Sequence, residues 1–135
     1  MYIQNHNLAF RAKFFHTQSL HDVAEFAKET GRFERLNDAR KNIDKTHLDK
    51  RLTFELFVTE DDKKIPYAIF TRYTLKDGIV IPKSIDDYKV SEPFLFAAKK
   101  KMNPLKFGYD ILRKLGNSAP HNNMYKEVVS GSIKK

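Results

Sequence analysis

From Arg51 to Ser84 the chain alternates between apolar and polar positions in runs separated by polar turns. Leu52, Phe54, Leu56 and Val58 interleave with Thr53, Glu55, Phe57 and Thr59, the two-residue period of a half-buried strand. Glu60-Asp61-Asp62-Lys63-Lys64 has no apolar member, and the alternation resumes over Ile65 to Thr74. There Ile65, Tyr67, Ile69 and Tyr73 share one face, and Ala68, Phe70 and Arg72 the other. Pro66 cannot donate to a ladder and belongs near a strand start or on an edge. Asp77-Gly78 supplies the positive φ of a tight turn, after which Ile79-Val80-Ile81 reads as a short third strand. These runs predict an antiparallel meander. The pattern leaves open whether Phe57 and Phe70, on the face read as less buried, are covered by helices or exposed; exposed, they favour a protein partner.

The flanking sequence changes period. Leu8, Phe10, Ala12 and Phe14 alternate with their neighbours and fit either a fourth strand over 7–15 or an early helical turn. Leu20, Val23, Ala24, Phe26 and Ala27 form a helical stripe, with Ser19 and Asp22 placed to satisfy its first amides and Gly31 to end it. Phe33, Leu36, Ala39, Arg40 and Ile43 form a second stripe. Past the meander, 85–90 reads as a connecting loop. Ser91-Glu92-Pro93 is a helix-start signal and predicts a helix carrying Phe94, Leu95, Ala97, Ala98 and Met102. Asn103-Pro104 repeats the signal for a helix to Leu115, stopped by Gly116. The fold class is α+β: a three- or four-stranded antiparallel sheet with an N-terminal αα-hairpin and C-terminal basic helices, one domain over 1–116. Residues 117–135 read as a polar tail, loose or ordered by a partner, in which only Met124-Tyr125 and Val128-Val129 could dock.

With no cysteine among 135 residues there is no disulfide framework, zinc ribbon or thiol nucleophile. No apolar run reaches membrane-spanning length and the N-terminus lacks the form of a signal peptide, so the expected location is the cytoplasm, with no membrane partner. His6, His16, His21, His47 and His121 show no metal-ligand spacing, and Asp61-Asp62 and Asp86-Asp87 are adjacent pairs that suit turns better than acid/base catalysis. No cofactor, metal or catalytic set is expected.

Charge narrows the picture further. Of the net +8, residues 96–135 hold nine basic groups against two acidic ones, while the rest of the chain is nearly neutral. This asymmetry points to a polyanion or an acidic protein meeting the C-terminal part. Lys99, Lys100, Lys101, Lys106, Arg113 and Lys114, with Phe94 and Phe96 nearby, are the candidate residues for nucleic-acid or acidic-partner binding; alternatively the rings are core and the lysines merely solvated.

Three resemblances are weaker. Ala27-Lys28-Glu29-Thr30-Gly31 is similar to the turn of a helix-turn-helix reader, whose recognition helix would present Arg35, Asp38, Arg40 and Lys41, although polar Asn37 stands where a packing residue belongs. Tyr67-Ala68-Ile69-Phe70 loosely resembles the aromatic strand of RNA-recognition motifs, without the basic-glycine pair that precedes it. The order strand, two helices, three strands over 7–90 is similar to that of the small mRNA-cleaving toxins of bacterial toxin–antitoxin modules. That resemblance implies RNA cleavage by basic residues and a tyrosine on the sheet face, here Arg51, Arg72, Lys83 and Tyr88, but rests on no diagnostic motif. The expected function is a small basic module binding RNA or phosphate backbone, with an interaction or inhibitor domain for an acidic protein as the alternative and a toxin-like ribonuclease as a further one.

Overall fold

The computed structural model describes residues 14–45, 51–117 and 128. Its centre is a long hairpin, β1 (Leu52–Glu60) and β2 (Pro66–Leu75), paired antiparallel from Leu52 opposite Thr74 to Glu60 opposite Pro66. Asp61 shapes the turn between them: its carboxylate accepts from the amides of Lys63 and Ile65, and Lys64 takes a φ of 65°. Opposed residues in such a pair share a face. Phe54, Leu56 and Val58 therefore point the same way as Arg72, Phe70 and Ala68, and this face carries the core; Phe54, Leu56, Ala68 and Phe70 are all buried. Thr53, Glu55, Phe57 and Thr59 share the other face with Tyr73, Thr71, Ile69 and Tyr67. Phe70 thus belongs to the covered face and only Phe57 to the open one.

The second edge of β2 carries two short strands, β3 (Tyr88–Val90) and β4 (Phe94–Ala97). Val90 faces Tyr73 and Phe94 faces Phe70, so Ser91, Glu92 and Pro93 span only the two positions Thr71 and Arg72. One residue is in excess, which makes this a β-bulge in a single interrupted strand. Proline at the interruption has no amide to offer, and Ser91 holds the bulge: its N–H donates to the Arg72 carbonyl at 2.9 Å, and the Arg72 guanidinium donates to its Oγ at 2.9 and 3.1 Å.

Two sequence-based expectations fail here. Ile79–Ile81 is not the third strand but part of a wide loop, with Val80 86 % and Ile81 79 % exposed. The Lys76 amide donates to the Asp87 carbonyl, and Ser84 with Asp87 forms a capping box around a short 3-10 turn, Ile85–Asp87. That turn starts the strand at Tyr88, inside the segment read as a loop. Nor is there a helix over 94–102: Phe94 and Phe96 pack inward while Leu95 and Ala97 face out, and ladder bonds to β2 replace helical ones. Of the two basic helices expected, only the second forms.

The helices are α1 (Gln18–Glu29), α2 (Phe33–Asp44) and α3 (Pro104–Gly116). Thr17, not Ser19, caps α1, accepting from the Leu20 amide. Ser19 is used elsewhere: its Oγ accepts from the Val58 amide, Thr17 Oγ1 donates to the Leu56 carbonyl, and the Phe15 amide donates to the Phe54 carbonyl. These three contacts take up outward backbone groups in the middle of β1, where Phe14 forms a parallel bridge with Phe54. Of the strand expected over 7–15, residues 7–13 lie outside the described set. Gly31, with φ 71°, closes α1 as expected, and Asn103 caps α3, its Oδ1 accepting from the Leu105 amide before Pro104. All three helices contribute to one core on the covered face with Phe54, Leu56, Phe70 and Phe94. The tail read over 117–135 lies outside the described residues except for Asn117 and Val128, and Val128 is buried in that core.

Candidate nucleic-acid interface

The open face of the sheet has two different ends. At one end Phe15, Tyr73 and Tyr88 meet edge to face, with ring centroids 5.1 to 6.1 Å apart, and the Tyr73 hydroxyl donates to Glu55 Oε1 at 2.7 Å. Burial, reinforced by the Glu55 carboxylate, pushes the Tyr73 hydroxyl far above its ordinary range; burial also raises Tyr88, with Asp87 adding to it and a hydrogen bond with Thr53 opposing. Raised tyrosines stabilise the fold fully below the unfolded-state value of 10.0, and that contribution is lost as pH rises beyond it. Thermal unfolding scans should therefore show a melting temperature that falls above pH 10, and Tyr73→Phe should flatten the fall.

At the other end Phe57, Ile69 and Leu95 stand side by side on three strands, since Phe57 is opposite Ile69 and Ile69 opposite Leu95. Phe57 is 49 % and Leu95 45 % exposed. Tyr67, half-buried, lies in the next row between Thr59 and Ala97. No described helix covers this row; the described helices pack on the opposite face.

Lys99, Lys100 and Lys101 leave this row directly. The Ala98 amide donates to the Pro66 carbonyl at 2.9 Å, so the lysine loop starts at the same end of the sheet as the β1–β2 turn with Lys63 and Lys64. Glu60, Asp61 and Asp62 lie at this end too, and Glu60 is within 3.5 Å of Lys64 Nζ. Lysine outnumbers carboxylate there, and Lys99 to Lys101 are all exposed.

The remaining basic candidates do not join them. α3 spans thirteen residues, about 20 Å of rise, and separates the lysine loop at its N-terminus from Arg113 and Lys114 at its C-terminus. Lys106 is engaged by Asp110 at 2.9 Å. Arg113, whose guanidinium lies 5.9 Å from the Tyr109 ring, instead borders a cleft of about 340 Å³ with Arg35, Asp38 and Asn42 of α2, floored by Ala39 and Gly116. Arg40 is held by Asp44 at 2.8 Å and by Asn37 at 2.9 Å. Phe94 is buried in the core and Phe96 packs against Phe70 and Phe94, so the rings nearest the lysines in sequence are structural.

The four residues of the toxin-like reading do not share one face. Arg72 points to the helix face, Tyr88 to the open face, and Arg51 pairs with Asp77 at 3.0 Å. Lys83 lies beside Asp87, whose carboxylate accepts from the Lys83 and Ser84 amides and is lowered chiefly by those bonds. Among the described residues no cluster of His, Asp or Glu could hold a metal ion, and no helix is long and apolar enough to cross a membrane.

Sequence reasoning missed the row of Phe57, Ile69 and Leu95. The signal was present in the alternation of Phe94 and Phe96 with Leu95 and Ala97, which is a strand period overridden by the helix-start signal before it. No family model, characterised protein or solved structure matches this chain.

Proposed function

We propose that the protein is a cytoplasmic binding module for single-stranded nucleic acid, using the Phe57–Ile69–Leu95 end of the open sheet face together with Lys99, Lys100 and Lys101. The observation that carries this reading is the direct passage of β4 from the apolar row into the exposed lysine loop. Bases would stack on Phe57 and Tyr67, while the lysines neutralise the phosphates of the same strand; exposed rings beside a basic track form a sequence-tolerant platform. Arg113 and Lys114, at the far end of α3, take no part. The ribonuclease version loses support because Arg72 and Tyr88 occupy opposite faces.

The test is binding of a labelled oligouridylate at several salt concentrations. Three phosphates on a single strand give a log–log salt slope of about −2, and Phe57→Ala should weaken binding by roughly tenfold with no change in slope, since one lost stack is worth about 1–3 kcal/mol. Absence of binding at low salt contradicts the proposal.

One observation favours a second reading: two of the three residues in the row are aliphatic, which suits a protein partner better than a base. Such an interface would show little salt dependence, because its energy lies in buried anchors.

A further inference from the structure

Glu55 is the only charged residue among those that β1 and β2 pair on the open face, from Thr53 opposite Tyr73 to Thr59 opposite Tyr67. It stands opposite Thr71, one row beyond Phe57 and Ile69, and so borders the apolar row on the side away from the lysine loop. Its half-buried carboxylate is held in place. Tyr73 donates to Oε1 at 2.7 Å, and the Tyr73 ring is itself fixed edge to face by Phe15 and Tyr88. That bond uses one of roughly four acceptor positions on a carboxylate. Among the described residues no basic group pairs with Glu55, its neighbours on this face being Thr53, Phe57, Ile69, Thr71 and Tyr73.

We propose that Glu55 selects guanine for the base stacked on Phe57, its carboxylate accepting from guanine N1–H and N2–H together. This rests on the single-stranded nucleic-acid reading above and adds to it the identity of one base. The order of charge along the face matches that of a nucleotide: phosphates meet the lysines at one end, and the edge of the base meets the carboxylate beyond the apolar row. The rows of Thr59 and Glu55 are about 13 Å apart along β1, which a nucleotide and an extended lysine side chain span together. The choice of base follows from the pattern of donors. A carboxylate only accepts, so it favours adjacent donors and disfavours acceptors. Guanine alone carries two adjacent N–H groups on its Watson–Crick edge. Adenine and cytosine set a ring-nitrogen acceptor beside their amino group, and uracil flanks its N3–H with two carbonyls. Those bases still stack on Phe57, so a uridine strand is held by stacking and the lysines without this contact.

The experiment is fluorescence anisotropy at low salt on the full chain, wild type and Glu55→Gln, with a labelled short oligouridylate and the same strand carrying one central adenosine, guanosine, inosine or 7-deazaguanosine. The guanosine strand should bind the wild type roughly tenfold tighter than the uridine and adenosine strands. Inosine, which lacks the N2 amino group, should fall between them, and 7-deazaguanosine, altered only on the unused edge, should match guanosine. In Glu55→Gln the side-chain oxygen still accepts from Tyr73 while its amide N–H groups confront the guanine donors, so the guanosine and adenosine strands should bind equally. Equal affinity for guanosine and adenosine in the wild type would mean that ring stacking alone sets the order, and overturns the proposal. A preference that persists in Glu55→Gln, ignores inosine or is lost with 7-deazaguanosine overturns it too. In each of these cases binding of the uridine strand leaves the nucleic-acid reading standing, whereas no binding of any strand overturns both.

Discussion

Gly116→Ala should cost roughly 2 kcal/mol of stability, although it replaces the poorer helix former with the best one. At the last turn of α3 a Cβ would lie 2.6 Å from the Cα, Cβ and carbonyl oxygen of Ala39 on α2. These are fixed atoms of a facing helix and cannot rotate aside, so the helices must separate. Alanine returns up to about 1 kcal/mol of helix propensity, whereas overpacking a closed contact costs about 1–3 kcal/mol or more; the backbone clash places this site at the upper end. Separation would also strain the bond from Asn42 Nδ2 to the Gly116 carbonyl, now 3.1 Å. Urea unfolding should show a lower midpoint with an unchanged slope. Gly108→Ala is the internal control: its Cβ would meet Val23 Cγ2 at 2.8 Å and Val58 Cγ2 at 3.1 Å, side-chain atoms that can yield by a few tenths of an ångström. Its loss should be smaller. Equal stability of Gly116→Ala and the wild type would mean that α2 and α3 do not approach as described.

Reversing Lys99, Lys100 and Lys101 together to Glu should lower affinity for single-stranded RNA by more than about 100-fold at low salt and bring the salt slope near zero. The size follows from two effects. Three neutralised phosphates are lost, and three negative charges are placed beside the strand at a site that already holds Glu60, Asp61 and Asp62. The matched change at the other end of α3, Arg113 and Lys114 to Glu, should alter affinity by less than about threefold, since roughly 20 Å separates the two ends and the Debye length at physiological salt is about 8 Å. Fluorescence anisotropy with the two variants side by side measures both. Because all five residues are exposed, their reversal leaves the core intact.

The elements with long, unbroken periods were legible in the sequence. The alternation over Leu52–Thr59 and Ile65–Thr74 gave the central hairpin, and the stripes from Leu20 and Phe33 gave the helix pair with its glycine turn. The other edge was not legible, because its determinants are non-local. Ile79-Val80-Ile81 has strong strand propensity but pairs with no strand among the described residues: the Ser84–Asp87 capping box and the Lys76-to-Asp87 bond bring Tyr88 to β2 instead. Phe94–Ala97 follows a good helix start, yet Pro93 serves the bulge and the Phe94–Phe96 period of two meets the groove beside Phe70. Tertiary pairing overrode local propensity in both places.

The same error shaped the candidate site. Read as a helix, 94–102 continues the lysines onto α3 as one basic surface and places Leu95 among that helix's apolar residues. As a strand, the segment presents Leu95 outward beside Ile69 and Phe57 and delivers the lysines to the end of an open sheet. The assignment of faces on β2 also had to come from pairing. Tyr67 and Ile69 are more apolar as a set than Ala68 and Arg72, yet the register with Phe54 and Leu56 puts Ala68 and Phe70 inside.

Chemical-shift mapping of the labelled protein titrated with a short oligouridylate tests the central claim most directly. The account predicts that the largest changes fall on Phe57, Tyr67, Ile69, Leu95 and Lys99 to Lys101, with Arg35, Arg113 and Lys114 undisturbed. Changes confined to the cleft between α2 and α3, or none at low salt, would contradict it.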